Sequence, residues 1–537
     1  MSRQKVNMRI ERELKLLADP GVGLPDLDGV VDGVTVGSTE RLDLVAVYYD
    51  TPDFALLRSG ITLRSRTGES GPTWMLKLPI ASADGLLSRR EISFDGKPNI
   101  VPPAAVNAVT AHSRRSKLVP VAEIQTERVV SQLVSRGAVV AMICNDRVLG
   151  QSGGSSSQFH EVEVELVDPH VGADLLKAVR VRLRDVGWRS DDASLSKVAR
   201  VVGVHAVNEP VVDVRVCGRK ARMGEVVDAA ISRSVSELIA FDAGTRLDLD
   251  LEDLHQFRVA ARRLRSDLRT FRNVLDRPWV VAVRAELRWL GEVVGAVRDL
   301  DVLKERLTTA IGVLSERDSL SAGLLMVTLE KERTVARKQM LEAISSGRYL
   351  DLLETLIAGA ANLPLAPMAK GQPLVLKREI GAIHPSAATD GGEGGNGDYL
   401  ADRLASEALP GLVRKPWKQL KGEVEELKGD SADQDLHDVR ILAKRCRYAA
   451  EAASSVCGSR ARRFAAAIKE LQTVLGDYQD TVITEVWLRN LTQARAEVGL
   501  IAGLLIASEQ EKRTTLRRSV DSVWRKASRP SLRAWLG

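Results

Sequence analysis

From Glu161 to Leu166 the chain alternates acid with apolar residue, and near its start Met8-Arg-Ile-Glu11-Arg-Glu13-Leu-Lys15-Leu16 sets charge at every second position from residue 11. In a strand, residues i and i+2 share a face about 7 Å apart, so Glu11, Glu13 and Lys15 stand together, as do Glu161, Glu163 and Glu165. The rest of the first two hundred residues repeats the layout. Leu44-Val-Ala-Val-Tyr-Tyr49 ends in the turn signal Asp50-Thr51-Pro52. Ile61-Thr-Leu-Arg64-Ser-Arg66 and Trp74-Met-Leu-Lys77-Leu78 read as a hairpin across a Gly-rich turn, and Arg89 with Glu91, Arg128 and Asp146 fall on further strands. A solvated strand face usually mixes its signs, whereas these strands are either acidic or basic. A closed antiparallel barrel explains the pattern. Its outer face packs apolar residues against helices, and its lumen collects charges that ligand or metal must match. Arginines and lysines in such numbers match a chain of phosphates, and carboxylates from two strands would hold a divalent metal against it.

At 537 residues the chain is too long for one ordinary core, and several domains are expected. Four cysteines, Cys144, Cys217, Cys446 and Cys457, have spacings that make neither a metal cluster nor a disulfide framework, as in a reducing compartment. No apolar segment of signal-peptide type follows Met1 and no run of about twenty apolar residues occurs, so a soluble cytoplasmic protein without a membrane partner is expected. The net charge of +6 favours an anionic partner, and 71 acids among 77 basic residues require the excess to be local.

In their order along the chain, Glu11-x-Glu13-x-Lys15, Tyr49-Asp-Thr, Leu63-Arg64-x-Arg66, Lys77, Arg89-x-Glu91, Arg128, Glu161-x-Glu163 and Ser196-Lys197 resemble the CYTH family, the triphosphate tunnel metalloenzymes, over residues 1–205. The resemblance implies an eight-stranded antiparallel tunnel that binds a triphosphate end-on with Mg²⁺ or Mn²⁺. Known members include inorganic, thiamine and RNA triphosphatases and one class of adenylate cyclase. It further implies Glu11, Glu13 and Lys15 as the catalytic set, with Glu11, Glu13, Glu161 and Glu163 on the metal side, helped by Asp146 or Glu165. Lys15, Arg64, Arg66, Lys77, Arg89, Arg128 and Lys197 form the phosphate side. Which of Glu161, Glu163 and Glu165 face inward depends on a register the sequence leaves open. Val198 departs from the family pattern, which has an aromatic after the lysine.

A linker is expected over 206–222, and beyond it Ala, Leu, Val, Arg and Glu recur with helical period. A helix from His255 would present His255, Arg258, Arg262, Arg265, Arg269 and Arg272 on one arc and pack through Phe257, Leu264, Leu268, Phe271 and Leu275. Leu436-His437-Asp-Val-Arg440-Ile-Leu-Ala-Lys444-Arg445-Cys-Arg447 repeats Leu254-His255-Gln-Phe-Arg258-Val-Ala-Ala-Arg262-Arg263-Leu-Arg265 at an offset of 182 (437 − 255). Val294-Gly295-Ala-Val-Arg298-Asp299 recurs around Leu475-Gly476 and Asp480 at 181 (476 − 295). Two blocks at nearly one offset indicate a duplicated bundle over 223–525, with halves 223–380 and 398–525 joined by a flexible Gly-rich stretch at 385–397. The expected fold class is therefore α+β multidomain, an eight-stranded antiparallel β tunnel followed by an all-α duplicated helical bundle.

A bare solvated helix face alternates signs, so stripes with Arg or Lys at +3, +7, +8 and +10 from each histidine call for an anion. This region, about 219–525, resembles the CHAD domain, named for its histidines and charged helices. That resemblance implies a basic groove for inorganic polyphosphate carried by His255, Arg258, Arg262, Arg263, Arg265, Arg269, His437, Arg440, Lys444, Arg445 and Arg447. Together the two resemblances imply a divalent-metal-dependent triphosphatase with an attached polyphosphate-binding domain. Inorganic triphosphate leads as substrate, because the few aromatics of the β-region are scattered and form no pocket for a base or thiazole. The alternatives are a thiamine or nucleoside triphosphatase, or a non-catalytic polyphosphate scaffold. Nucleic acid is disfavoured as a partner, for want of aromatic stacking platforms or a recognised binding motif.

Overall fold

The computed structural model describes residues 7–80, 87–167, 172–190, 195–203, 210–314, 318, 322–366 and 400–537. The Gly-rich stretch at 385–397 and the first part of the 206–222 linker lie outside these. The chain divides into two compact units, Met1–Val211 and Val212–Gly537.

The first unit is built on β1 (Asn7–Ala18), β2 (Val34–Asp50), β3 (Thr62–Thr67), β4 (Trp74–Pro79), β5 (Leu87–Phe94), β6 (Val119–Ser135), β7 (Ala138–Ser152) and β8 (Ser155–Leu166). Their order is β5-β4-β3-β2-β6-β7-β8-β1, and β1 pairs back onto β5, so the sheet closes into an antiparallel barrel of eight strands. A ninth strand, β9 (Arg189–Ser190), adds two residues outside β1. Closure satisfies both edges of every long strand, so the alternating charge has only two places to go, lumen or outer face. The apolar partners settle which. Leu14 and Leu16 of β1 and Val162 and Val164 of β8 point outward and pack on Leu175, Leu176, Val179 and Leu183 of the helix Gly172–Asp185. Their intervening acids and Lys15 therefore face inward.

The short helix Lys197–Val202 packs against the lumen face of β6 and β7, where Val148 and Gly150 share a side with Asp146 and Ile124 shares one with Arg128, and it delivers Lys197 to the lumen. Ser196 caps it by accepting a hydrogen bond from the Ala199 amide, and Val198 and Val201 pack into an inward-facing apolar cluster with Tyr48, Val148 and Ile124. Gly150 on β7 permits the approach: a Cβ there would lie 2.1 Å from Val201 Cγ2. The departure from the family pattern at Val198 is thus a packing choice inside the barrel, and the lysine before it keeps its place.

The second unit is helical and duplicated at the level of whole helices. Met223–Ala240 and Ala405–Glu426 begin 182 residues apart (405 − 223), and so do Leu251–Thr270 and Asp433–Ala494 (433 − 251). In the first half, residues 271–276 separate Leu251–Thr270 from the next helix, Arg277–Ile311, whereas in the second half the chain continues through a kink at Gly458 (φ 67°, ψ −142°). A positive φ there suits glycine, so one residue replaces a loop. Arg222 and Leu404, themselves 182 apart, form an antiparallel bridge just ahead of the first helix of each half. A residue paired with its own counterpart marks a local two-fold axis between them. Arg222 is thus fixed within the helical unit and does not end a loose linker. The basic helix starts at Leu251 and not at His255, because the Asp250 side chain accepts the Glu252 amide at 2.9 Å and caps it four residues earlier. It stops at Thr270, leaving Arg272 beyond its end. Among the described residues no helix is long and apolar enough to cross a membrane.

Candidate functional site

The register left open by the sequence is set by β1 and β8, where Glu13 lies opposite Glu165, Lys15 opposite Glu163 and Leu17 opposite Glu161. The lumen holds a cavity of ≈ 290 Å³ whose walls include Glu13, Lys15, Arg64, Arg66, Lys77, Arg89, Arg128, Glu163, Glu165 and Lys197. Its carboxylates form two groups that could each hold a metal ion, Glu11 with Glu13 and Glu165, and Asp146 with Glu161 and Glu163.

The two groups differ in how well they are neutralised. Arg128 grips Asp146 through two bonds of 2.7 and 2.6 Å and reaches Glu163 at 2.8 Å. Lys197 lies 3.0 Å from Asp146 and 2.8 Å from Glu163 and also contacts Glu161, while Lys15 is 2.9 Å from Glu163. Three buried carboxylates therefore meet three buried cations. Burial alone would raise Glu163, but Lys15, Lys197 and Arg128 hold it well below the usual carboxylate range. In the other group Lys77 approaches Glu11 at 2.7 Å but is shared with Glu91 at 2.8 Å. Glu165 has only the largely exposed Arg9, at 3.6 Å. Neither carboxylate oxygen of buried Glu13 has a hydrogen-bond partner, and its nearest cation, Lys15, stands 4.0 Å away.

Burial pushes Glu11 up to about 7, with Glu13 and Glu91 adding to the rise against Lys77. A buried carboxylate with empty acceptor sites beside two further carboxylates fits a hard, oxygen-seeking divalent cation. The cationic wall is similarly underfilled. Arg64 donates to the Tyr48 hydroxyl at 3.3 Å but its buried Nε has no partner. Arg66 contacts Glu69, yet burial and Arg64 push it down to about 10. Glu91, which holds both Lys77 and Arg9, belongs to this network although only its spacing from Arg89 pointed to it.

In the helical unit a cavity of ≈ 470 Å³ sits on the pseudo-two-fold axis. Its walls pair His255 with His437, Arg258 with Arg440, Val259 with Ile441, Arg262 with Lys444, and Asp299 with Asp480, each couple offset by 182 or 181. The guanidiniums of Arg258 and Arg440 lie across Gly295 and Gly476 respectively, within 3.5 and 3.7 Å of where a Cβ would be. Arg258 also bonds Asp299 at 2.6 Å, and Arg262 donates to the Tyr448 hydroxyl at 2.7 Å. A second cavity of ≈ 570 Å³ shares Arg262, Ile441 and Lys444 with the first and continues past Arg265, Arg269, Arg284, Arg288 and Arg445. Burial, with Arg440, Arg262 and Arg258 nearby, pushes Lys444 down to about 7. Burial lowers His255 as well, with Arg298, Arg262 and Arg258 acting in the same sense.

Two of the basic residues expected here line neither cavity. Arg263 reaches Glu451 at 3.2 Å, and Arg447 lies 4.5 Å over the Tyr448 ring with Glu451 at 3.5 Å. Arg284, Arg288, Arg298 and Arg306 come instead from the helix Arg277–Ile311, where acids interspersed along the sequence hid them.

A closed antiparallel tunnel with opposed acidic and basic walls, followed by a duplicated helical unit around a basic groove, defines the class. The chain belongs to the CYTH and CHAD families: the CYTH domain matches residues 9–192 and the CHAD domain residues 229–489. It is 30% identical over 526 residues to an uncharacterized protein of Mycobacterium tuberculosis strain H37Rv, covering 94% of this chain and 93% of that one. The counterpart in strain CDC 1551 matches equally. Among solved structures, PptA from Streptomyces chartreusis aligns with 19% identity over 57% of this chain and 100% of its own, with a TM-score of 0.43. The CHAD domain from the plant Ricinus communis aligns with 23% identity over 60% of this chain and 95% of its own, with a TM-score of 0.41.

Proposed function

We propose that the chain is a divalent-metal-dependent phosphohydrolase that cleaves inorganic triphosphate in the barrel lumen and binds inorganic polyphosphate in the groove of its helical unit. The observation that carries the first half is Glu13, buried with neither oxygen hydrogen-bonded among the described residues, beside Glu11 and Glu165 and in one cavity with Arg64 and Lys77. Mg²⁺ or Mn²⁺ held by Glu11, Glu13 and Glu165 would offset charge developing on the bridging oxygen and acidify the attacking water. The protein's own share is positional. Arg64, Arg66, Lys77, Arg89 and Arg128 hold a triphosphate straight, and Lys15 and Lys197, anchored on the neutralised carboxylates, fix the inner end. Among the described residues Tyr48 is the one aromatic lining this cavity, which favours a substrate without a base to stack.

Arg64→Ala and Arg66→Ala are expected to raise KM and lower kcat together, because a guanidinium both holds and aligns a phosphate, and lysine is an incomplete substitute. Steady-state kinetics on inorganic triphosphate measures this. Wild-type values in both variants would place these side chains outside the substrate path.

For the helical unit, Lys444 makes polyphosphate affinity pH-dependent. Its folded value of about 7 lies below the ordinary 10.5, so between these pH values the unfolded chain binds more protons, and this group stabilises the free protein as pH rises through that window. Ligand binding has the opposite sign. Bound phosphates favour the charged amine, so binding takes up a proton and affinity falls as pH rises above about 7. Titrations at about pH 7 and pH 9 should show this fall in the wild type and a smaller one in Lys444→Met. Equal slopes would mean that Lys444 does not touch the ligand.

A further inference from the structure

The groove of the helical unit obeys the duplication in one part and breaks it in another. The ≈ 470 Å³ cavity is lined by matched couples from the two halves, so it lies on the axis. The ≈ 570 Å³ cavity does not: of the cations it does not share with the first, Arg265, Arg269, Arg284 and Arg288 come from the first half and Arg445 alone from the second. Their counterparts show how the mirror position was closed. Arg265 corresponds to Arg447 (447 − 265 = 182), which turns onto Tyr448 and Glu451. Arg269 corresponds to Glu451 itself (451 − 269 = 182), which neutralises Arg263 and Arg447. Arg284, on the helix whose offset is 181 (476 − 295), corresponds to Ala465 (465 − 284 = 181), which is buried. Arg288 alone has a cationic counterpart, the exposed Lys469 (469 − 288 = 181), so the arginine cluster is built on one side of the axis only.

The open side is also electrostatically unfinished. Among the described residues Arg265, Arg269, Arg284 and Arg288 form no ion pair, and Arg284 Nε is buried without a partner. Burial lowers Arg284, as do Arg269, Arg265 and Arg272, with no acid opposing; burial lowers Arg445 too, as do Arg269, Arg284 and Arg265, against Asp438. Like charges gathered at this density repel one another, and the free protein is less stable for it. The arrangement makes physical sense when an anion completes it. Because Arg262 and Lys444 belong to both cavities, a linear anion seated on the axis runs on into the second without leaving cationic walls.

We infer that the off-axis cavity is a second phosphate subsite, supplied mainly by the first half, through which the groove distinguishes long polyphosphate chains from short ones. This rests on the reading of the groove as a polyphosphate site. A short chain is satisfied by the symmetric cavity, and only a longer one reaches Arg284 and Arg288. The groove is thereby directional, extending to one side of an otherwise symmetric unit.

The test uses the full-length chain with its lumen silenced by Arg64→Ala and Arg66→Ala, without divalent metal, and measures Kd for tripolyphosphate and for long-chain polyphosphate. Adding Arg284→Ala and Arg288→Ala should weaken the long chain about tenfold or more while changing tripolyphosphate by less than about twofold. Adding Arg258→Ala and Arg440→Ala should weaken both. Among the described residues Arg284 and Arg288 have no ion pair to lose, so their removal should leave the fold intact and raise the Tm of the free protein. Unchanged long-chain affinity in the Arg284→Ala/Arg288→Ala protein, with weakening in the Arg258→Ala/Arg440→Ala protein, overturns the second subsite and leaves the groove standing. Equal weakening of short and long chains overturns the length dependence. A loss confined to duplex DNA would assign the cavity to nucleic acid and also overturn the inference. No effect from either pair would sink the reading of the groove as a polyphosphate site.

Discussion

Glu13→Ala is expected to lower kcat for triphosphate hydrolysis by about a thousandfold or more, on the order of 4 kcal/mol of transition-state stabilisation. The reason is electrostatic before it is geometric. Of the two carboxylate groups in the lumen, that of Asp146, Glu161 and Glu163 is already matched by Arg128, Lys15 and Lys197. Among the described residues the group of Glu11, Glu13 and Glu165 has one shared lysine at Glu11, Lys15 no nearer than 4.0 Å to Glu13 and one largely exposed arginine, and neither oxygen of Glu13 accepts a hydrogen bond. Deleting it removes the empty acceptor sites a cation needs. The fold should survive, because Glu13 makes no hydrogen bond that its loss would break. It also ends a like-charge contact with Glu11, so the Tm without metal should hold or rise, while the Tm increase brought by Mn²⁺ should shrink. Wild-type turnover in saturating metal would move the metal site away from β1 and reopen the scaffold reading.

The second large effect belongs to the groove. Replacing Arg258, Arg262, Arg440 and Lys444 together with alanine should weaken long-chain polyphosphate by several kcal/mol, at about 1 kcal/mol or more per charge-assisted contact. Arg258 neutralises Asp299, so its removal also leaves an acid facing the ligand. The loss should be largest at low salt and shrink as salt rises, because such a polyanion binds largely by releasing counterions. Triphosphate hydrolysis in the lumen should hardly change. Full affinity in the four-site variant would make these cations structural partners of Asp299, Asp480 and Tyr448 and nothing more.

The barrel was legible because a strand has only two faces. Which of Glu161, Glu163 and Glu165 face inward was left to the register, and it is the outward burial of Val162 and Val164 in the structure that turns all three to the lumen. The pairing itself was not legible. That Glu165 joins Glu11 and Glu13 while Glu161 and Glu163 join Asp146 depends on the stagger between β1, β7 and β8, which local pattern does not encode. The basic helix was legible by period but not in its start, since the Asp250 cap acts through one hydrogen bond that a charge stripe cannot register. Arg284 and Arg288 were invisible for another reason. They sit among Glu286 and Glu292 on a helix of mixed sign, and only the packing of Arg277–Ile311 against Leu251–Thr270 turns them toward Arg265 and Arg269. Arg263 and Arg447 failed the other way: their spacing matched the stripe, but Glu451 takes both.

Phosphate release should be followed for inorganic triphosphate, ATP, thiamine triphosphate and long-chain polyphosphate, each with Mg²⁺, with Mn²⁺ and with a chelator. The expected result is metal-dependent turnover of inorganic triphosphate well above that of the other three, abolished by the chelator and by Glu13→Ala. Turnover that persists in the chelator, or no release from triphosphate under any metal while polyphosphate still binds, would contradict a hydrolytic lumen built around Glu11, Glu13 and Glu165.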